Sequence, residues 1–303
     1  MGELFNHNLS LRPIFISISV DFRVTSYKLQ QRVMAYFQMN KTMRAIYITL
    51  FLLVQLNLSG QTTQMELVNK FGFSADRFVG ADKFGFYYFI KNNVLFKTKN
   101  DVLLAYKNLP LGQITKVDLQ NPLKVTLFYE RFNTAITLDN QLNETLKIDF
   151  SQLKTPLVVS KIGMASQNQL WVFDDISRQL YLYNSTNGNL KAVGTPFSEN
   201  IKFYNTDFNY FEWLDDKNRW FQCSIFGNVE KLDYDLDFDT ILFTDNECII
   251  YKKDEKIFAF GKNTKKISIL EYGNKTFESL SYKNQILSIF TKREISNFKI
   301  KIP

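Results

Sequence analysis

Histidine, cysteine, glycine and proline are all scarce in this chain. Its 303 residues include a single His, His7, together with two Cys, 12 Gly and six Pro. Two cysteines are too few for a structural zinc site of the all-Cys type, and residues 8–303 offer no imidazole as a zinc ligand. The same residues hold no imidazole that could act as base for a serine or cysteine nucleophile. These absences exclude the commonest hydrolytic and zinc chemistries from most of the chain.

Apolar and aromatic residues are abundant instead. Hydrophobic residues make up 45% of the chain and aromatic residues 16%, with 29 Phe and 15 Tyr. This amount of apolar material supports a sizeable core and excludes an intrinsically disordered protein. Phe and Tyr also favour strands, and no segment after residue 60 has the pattern of a helix longer than one or two turns.

An apolar run extends from Ala45 to Leu58, preceded by Arg44 and followed by Ser59 and Gly60. The run is shorter than the roughly 20 residues of a membrane-spanning helix. A basic residue, an apolar stretch and small residues in this order are typical of a secretory signal peptide. We therefore predict a signal peptide over residues 43–60 with cleavage after Gly60. A retained membrane anchor is the second interpretation, and a buried core helix is the third.

Residues 1–42 precede this predicted signal peptide. We interpret them as an overextended start, with translation beginning at Met39 or Met43, or as a disordered extension; the alternative is a genuine extension on the cytoplasmic side. Residues 1–60 hold six Lys and Arg against two Asp and Glu, which is +4 of the total net charge of +7. Cleavage would remove His7 and leave a nearly balanced chain at +3. Because phosphate binding needs a concentrated basic surface, we expect no nucleic-acid partner.

Six segments after residue 60 share one pattern, an alternating apolar strand followed by a short polar turn and a second alternating strand. They cover residues 87–97, 126–138, 170–183, 210–223, 248–260 and 286–300. Their turns are centred on Asn92, Arg131, Asp175, Asp216, Asp254 and Lys292, at spacings of 38 to 44 residues. Blades of β-propellers have about this length, roughly 40 to 50 residues. With a further strand on each side of every hairpin, the pattern predicts an all-β, six-bladed β-propeller of four-stranded blades over residues 61–303.

The sixth repeat ends one strand short, whereas a strand-like segment at Met65–Phe71 precedes the first complete repeat. In a closed ring this N-terminal segment would supply the missing strand and remove two open sheet edges. A β-sandwich or an elongated β-solenoid also contains many short strands. A sandwich does not explain the period, and a solenoid would have capping units instead of two complementary fragments.

The stretch from Trp171 to Gly188, WVFDDISRQLYLYNSTNG, resembles the strand-turn-strand core of secreted propellers of the NHL and YWTD type. The resemblance covers the whole of residues 61–303 in pattern, although the chain has no YWTD tetrapeptide. It implies a propeller fold and export. The start at Gln61 and the heavy use of Lys, Asn, Ile and Phe resemble exported proteins of the Bacteroidota. We therefore expect the periplasm or the outer cell surface, with no transmembrane span after cleavage.

The turns between the second and third strands of the repeats carry the candidate site residues, because in propellers this face usually holds the binding site. The candidates share an exposed position in a charged turn and are Arg131, Asp174, Asp175, Arg178, Asp215, Asp216, Arg219 and Arg293. Two carboxylates at a defined separation are the groups that hydrolyse glycosides. A turn surface of mixed sign is equally suited to binding a protein.

Two further features have competing interpretations. The alternating acids of Leu232–Asp239 could bind Ca²⁺, but the run lacks the Gly and the closing Glu of a calcium loop, so we expect a solvated connection with its apolar residues turned inward. We assign no other cofactor and no metal site. Cys223 and Cys248 fall in neighbouring repeats on non-equivalent strands, an arrangement that does not favour a disulfide.

Together these features predict an exported, non-catalytic binding or scaffold protein of the cell envelope, monomeric alone. Its expected partner is an envelope protein or a carbohydrate, bound through the propeller face. The alternative is a hydrolase or lyase acting on a carbohydrate or lactone, with Ca²⁺ as its candidate cofactor. Three or more carboxylate or Asn side chains converging at the mouth of the central channel would favour the alternative.

Overall fold

The computed structural model describes residues 65–272, 276–291 and 293–302, the backbone of residues 62 and 63, and residues 27, 28, 30–32 and 46. By its contacts the chain divides into two units, residues 1–60 and residues 61–303. The predictions for residues 1–42 and for the signal peptide at 43–60 fall in the first unit and lie almost entirely outside the described residues. No helix within the described residues is long and apolar enough to cross a membrane.

Residues 61–303 form six antiparallel blades, and we label the strands of each blade A to D in their order across the sheet. The first three blades follow the chain without interruption. Blade 1 contains β3 (Arg77–Ala81), β4 (Tyr87–Lys91), β5 (Val94–Lys99) and β6 (Val102–Tyr106). Blade 2 contains β7 (Lys116–Asp118), β8 (Val125–Tyr129), β9 (Thr134–Leu138) and β10 (Glu144–Asp149). Blade 3 contains β11 (Val159–Met164), β12 (Gln169–Asp174), β13 (Gln179–Asn184) and β14 (Leu190–Val193).

The last three blades include both strands from the N-terminal end of the unit. Blade 4 contains β15 (Ile201–Thr206), β16 (Tyr210–Asp215), β17 (Trp220–Ser224) and β18 (Val229–Leu232). Blade 5 contains β19 (Thr240–Thr244), β20 (Cys248–Lys253), β21 (Lys256–Gly261) and β22 (Ile267–Leu270), with β1 (Thr62–Thr63) added outside β22. Blade 6 contains β23 (Ser279–Lys283), β24 (Ile286–Thr291), β25 (Glu294–Lys299) and β2 (Glu66–Gly72). Two 3-10 turns, Glu130–Phe132 and Phe150–Gln152, are the helical elements of the described part of this unit. The predicted all-β, six-bladed propeller is confirmed.

Side chains packed between neighbouring blades form the core. The second strand of blade 2, Val125–Tyr129, is buried at every position, because both of its faces pack against other strands. Between blades 3 and 4, Phe197 stacks on Trp213 with ring centres 4.1 Å apart, and Trp171 packs edge-on against Phe211. Rings of this size fill the widening space between blades. Trp171 and Trp213 thus pack between blades 3 and 4.

The N-terminal strand β2 closes the ring, as predicted from the two incomplete ends. It pairs antiparallel with β25, from Glu66 opposite Lys299 to Gly72 opposite Glu294. Strand β1 was not predicted: Thr62 and Thr63 run parallel to Ile269 and Leu270 on the outer edge of blade 5. The start of residues 61–303 therefore contributes to two neighbouring blades and covers an outer edge in each.

One-residue bulges interrupt the A–B pairing in four blades. They lie between Phe78 and Gly80, Val159 and Lys161, Ile201 and Phe203, and Ile241 and Phe243. Bulges increase the local twist, which suits first strands that converge at the centre. At this centre Gly163 of blade 3 lies so close to Thr206 of blade 4 that an added methyl group would overlap the threonine side chain.

Candidate functional site

The propeller has two faces, which we name by their turns. The B–C face carries the turns between strands B and C and the connections between blades. The A–B face carries the turns between strands A and B and between strands C and D. The ends of the A strands of five blades surround a cavity of about 390 Å³ on the A–B face, which identifies the mouth of the central channel.

Two of the predicted site residues, Asp174 and Asp215, end strand B in blades 3 and 4 and are buried, with exposures of 5% and 1%. Asp174 accepts hydrogen bonds from the backbone of Val158 at 2.7 Å and of Ser177 at 2.8 Å. Asp215 accepts from the backbone of Lys217 at 3.0 Å and of Arg219 at 2.8 Å, and from the Arg219 guanidinium at 2.7 Å. Both carboxylates therefore hold the B–C turns in shape.

Three other predicted residues, Arg178, Asp216 and Arg219, meet at Glu199 and Asn200 in the connection between blades 3 and 4. Arg178 donates to Asn200 Oδ1 at 2.9 Å and to the Glu199 carbonyl oxygen. Asp216 accepts from Asn200 Nδ2 at 3.2 Å, and Arg219 lies 3.6 Å from the Glu199 carboxylate. With Lys217, which pairs with Glu199 at 2.5 Å, these residues form a charged cluster of mixed sign on the B–C face.

The remaining predicted residues are separate from this cluster. Asp175 is exposed and accepts from Ser160 Oγ at 3.0 Å. Arg131 is exposed in the 3-10 turn of blade 2, and Arg293 is exposed in the B–C turn of blade 6, where its carbonyl oxygen accepts from the backbone of Phe73 at 2.8 Å. The predicted residues thus share one face, and Arg178, Asp216 and Arg219 are brought together.

The B–C face also presents a row of exposed apolar side chains across blades 1 to 3. They are Leu109, Phe132, Val158 and Ile176, with exposures of 67%, 51%, 52% and 77%. Phe132 lies against Gly112 of the Leu109 turn. The side chain of Asn133 bonds the backbone on both sides of Val158, and the backbone N–H of Asp175 donates to the Val158 carbonyl oxygen at 2.8 Å. We call Leu109, Phe132, Val158 and Ile176 the apolar row. We had not predicted it, although Phe132 and Ile176 are visible in the sequence as apolar residues inside polar turns.

Carboxylates and amides line the central cavity on the A–B face. Asp118, Asp207 and Asp245 end strand A in blades 2, 4 and 5, beside Glu247, Asn205, Asn246 and Asn284. Each Asp accepts hydrogen bonds from the backbone of its own turn, at 2.6 to 2.8 Å. More than three carboxylate and Asn side chains therefore converge at the mouth of the central channel, which is the arrangement that would favour the enzyme alternative. The three aspartates, however, serve to shape turns. Their repetition at the ends of A strands is a sequence signal that we had not used.

A second polar cavity of about 300 Å³ lies between blades 4 and 5 on the A–B face. It is lined by Glu212 of strand B in blade 4 and by Lys262, which follows strand C in blade 5. Their carboxylate and ammonium groups are 2.5 Å apart, and the side chains are 9% and 7% exposed. Burial raises the pKa of Glu212, and the nearby Lys262 opposes this shift.

The acidic run at residues 232–239 and the two cysteines were the remaining features with competing interpretations. In residues 232–239 the apolar side chains Tyr234, Leu236 and Phe238 pack against the core, and the acids are exposed. In the described part of the chain, no three His, Cys, Asp or Glu side chains come together as metal ligands. Cys223 and Cys248 are buried free thiols.

Comparison with known proteins gives similar folds at low identity. No protein-family model and no curated protein sequence match the chain. Among solved structures, virginiamycin B lyase from Staphylococcus aureus has 12% identity, with 73% of this chain and 79% of that chain covered and a TM-score of 0.48. BamB from Moraxella catarrhalis has 10% identity, 78% and 100% coverage and a TM-score of 0.45. PorZ from Porphyromonas gingivalis, a surface component of the type-IX secretion system, has 11% identity, 80% and 39% coverage and a TM-score of 0.43. These similarities assign no activity or partner to this chain.

Proposed function

We propose that this propeller is a non-catalytic binding protein of the cell envelope that engages a protein partner through its B–C face. The observation that carries the proposal is the apolar row. Leu109, Phe132, Val158 and Ile176 are exposed in four successive connections and turns. Hydrogen bonds join the segments that carry Phe132, Val158 and Ile176, and Phe132 lies against Gly112 of the Leu109 turn. Single exposed apolar residues are common, whereas a connected set of them is typical of an interaction surface.

The charged cluster at Glu199 and Asn200 lies on the same face, in blades 3 and 4. Protein interfaces combine a core of apolar and aromatic anchors with a polar rim. Ile176 and Arg178 belong to one turn, so the apolar row and the charged cluster are adjacent. Burial of the row by a partner would gain about 25 cal/mol per Å² of apolar surface, and the cluster would supply directional hydrogen bonds.

The state of the carboxylates supports binding over catalysis. A pair that hydrolyses a glycoside needs one carboxylic acid and one free carboxylate at the scissile bond. On the B–C face, Asp174 accepts hydrogen bonds from backbone amides, and Asp215 accepts them from backbone amides and from Arg219. On the A–B face, Asp207 and Asp245 accept hydrogen bonds from backbone amides.

Export remains part of the proposal because of the apolar run at Ala45–Leu58 and the small residues that follow it. The run has the length of a signal-peptide core. We propose that residues 43–60 are removed on export and that residues 61–303 act in the periplasm or on the outer surface.

Affinity capture from envelope extracts tests the partner proposal. The tagged wild type is compared with a Phe132→Ser, Ile176→Ser double variant and with a Phe226→Ser control, since Phe226 is 79% exposed on the A–B face. The wild type and the control should retain one and the same protein, and the double variant should lose at least about nine-tenths of it. Equal recovery by all three proteins, or no enriched protein, would contradict the proposal. Thermal melts of the three proteins check that each is folded.

A further inference from the structure

We infer that the cavity between blades 4 and 5 on the A–B face is a binding site for a neutral polyhydroxylated ligand of the size of one sugar residue. The site is separate from the apolar row, which lies on the opposite face. It is built around the contact between Glu212 and Lys262, whose charged atoms are 2.5 Å apart. Its volume of about 300 Å³ is at the lower end of the range for small-ligand sites.

The buried carboxylate of Glu212 is only half satisfied. Its Oε2 bonds Lys262, whereas its Oε1 is buried and has no hydrogen-bond partner among the described residues. A buried acceptor without a donor destabilises the folded protein. A hydroxyl group that donates to Oε1 would remove this destabilisation, and the oxygen of an adjacent hydroxyl would accept from the Lys262 ammonium. Neighbouring hydroxyl groups on a sugar ring present this combination.

The charge pair of the cavity favours a neutral ligand. Glu212 and Lys262 neutralise each other at contact distance, and Asp207 is a further carboxylate of the lining, whose Oδ1 accepts two backbone hydrogen bonds from its own turn. A cationic or anionic ligand would meet one opposite and one like charge in the same pair. A zwitterion would have to separate the pair inside a buried site, which leaves two desolvated charges to be compensated.

Amide groups and one aromatic ring line the rest of the cavity. Asn205, Gln222, Asn246 and Asn263 each offer donors and acceptors to a ligand rich in hydroxyls. Tyr210, which is 41% exposed, also lines the cavity, and its ring would offer an apolar face to the C–H groups of a sugar. Asn205, Asp207 and Asn246 also line the central cavity, which gives a longer saccharide room to extend.

The fold itself does not require Glu212. Strand B has six residues in blades 3, 4, 5 and 6, and its third position is Trp171, Glu212, Ile250 and Ser288 respectively. Trp171 and Ile250 are fully buried apolar residues and Ser288 is buried and uncharged, so Glu212 is the one charged side chain of the four. An ion pair at this position costs desolvation that an apolar side chain avoids, so a ligand-binding role accounts for the exception.

Ligand-observed NMR and calorimetry test the site with a defined panel of probes. The neutral probes are D-glucose, D-galactose, D-mannose and N-acetyl-D-glucosamine, and the charged probes are D-glucuronate, D-glucosamine and glycine. We expect at least one neutral sugar to bind the full chain with a Kd near or below about 1 mM, and the charged probes to bind more weakly.

The variants are chosen in matched pairs. The Glu212→Gln, Lys262→Met double variant leaves no unpaired charge and should weaken sugar binding at least about tenfold. Lys97→Met removes another buried lysine, 4% exposed and in blade 1, and should leave binding unchanged. Tyr210→Ala should weaken binding, whereas Phe84→Ala, which removes an exposed ring in blade 1, should not.

Three outcomes would overturn the inference. These are no binding of any neutral sugar up to about 10 mM, preferential binding of a charged probe, and equal binding by the wild type and the Tyr210→Ala variant. A crystal structure grown with the bound sugar must place one of its hydroxyl groups within hydrogen-bond distance of Glu212 Oε1. The Phe132→Ser, Ile176→Ser variant of the capture experiment changes only the B–C face, whereas the sugar-binding variants change the A–B face. Failure of one proposal therefore leaves the other intact.

Discussion

Asp215 and Asp216 are neighbours with different environments at the end of strand B in blade 4. Asp215 is 1% exposed and accepts from two backbone amides and from Arg219. Asp216 is exposed and accepts one hydrogen bond from Asn200.

We predict that Asp215→Ala lowers the free energy of unfolding by about 2 to 4 kcal/mol, because buried donors lose their partner. Asp216→Ala should change it by less than about 0.5 kcal/mol; urea unfolding of both variants measures the difference, and equal effects would contradict the structural role of Asp215.

The two thiols should be unreactive in the folded protein. Both are buried, and burial raises the pKa of Cys223 to about 11 and raises that of Cys248 as well. Because the thiolate is the reactive form, we predict that neither Cys is alkylated by iodoacetamide at pH 8 until the chain is unfolded. Mass spectrometry of native and denatured samples counts the modified thiols. Alkylation of the native protein, or a Cys223–Cys248 bond that blocks both thiols after denaturation, would contradict this prediction.

The hairpins of the blades were predictable from the sequence, because apolar and polar residues alternate along each strand and the turn between the two strands is polar. The period also identified β2 as the missing strand of blade 6. The bulges in the A strands and the pairing of β1 with β22 were not predictable, since both depend on contacts between distant segments. The predicted site residues were placed on the correct strand ends, but whether a carboxylate such as Asp174 faces solvent or a backbone amide depends on the geometry of the turn.

The closing strand is attached by a buried polar network as well as by its backbone. Asn297 of β25 donates to Asn69 of β2 at 2.7 Å and to Tyr87 of blade 1 at 2.8 Å, and accepts from Ser288 at 2.6 Å. Asn297 is 1% exposed. One amide therefore connects blade 6, the closing strand and blade 1, and such networks fix the register of a strand.

We predict that Asn297→Ala lowers the free energy of unfolding by about 2 to 3 kcal/mol, because the polar groups of Asn69, Tyr87 and Ser288 lose a partner together. Val68→Thr on the closing strand β2 keeps the β-branched shape at an exposed position and should change the free energy of unfolding by less than about 0.5 kcal/mol. Hydrogen exchange should rise across β2 and β25 in Asn297→Ala alone. Unchanged exchange there would show that the network does not hold the strand.

At the scale of the whole molecule, the two faces have different chemistry. The B–C face carries the apolar row and the charged cluster, and the A–B face carries two polar cavities. A single ring can thus present a protein-binding surface and a small-ligand site without interference. The residue types in the sequence were enough to predict the charged turns as a candidate site. The apolar row could be found only from the structure, because its four residues come from four separate turns and connections.

The proposal of export concerns the whole chain. If residues 43–60 form a signal peptide, the protein isolated from the envelope should begin at Gln61 and have lost His7. N-terminal sequencing of that protein measures the start directly. Recovery of an intact Met1 from the envelope fraction would contradict cleavage after Gly60.

Site-specific photo-cross-linking in the native cell tests the central claim, that the B–C face binds a protein partner. A photoreactive phenylalanine derivative is placed at Ile176, which is 77% exposed on the B–C face, and in a separate variant at Phe226, which is 79% exposed on the A–B face. We predict one discrete protein adduct from position 176 and none from position 226. Adducts of equal yield from both positions, or none from position 176, would contradict the proposed function.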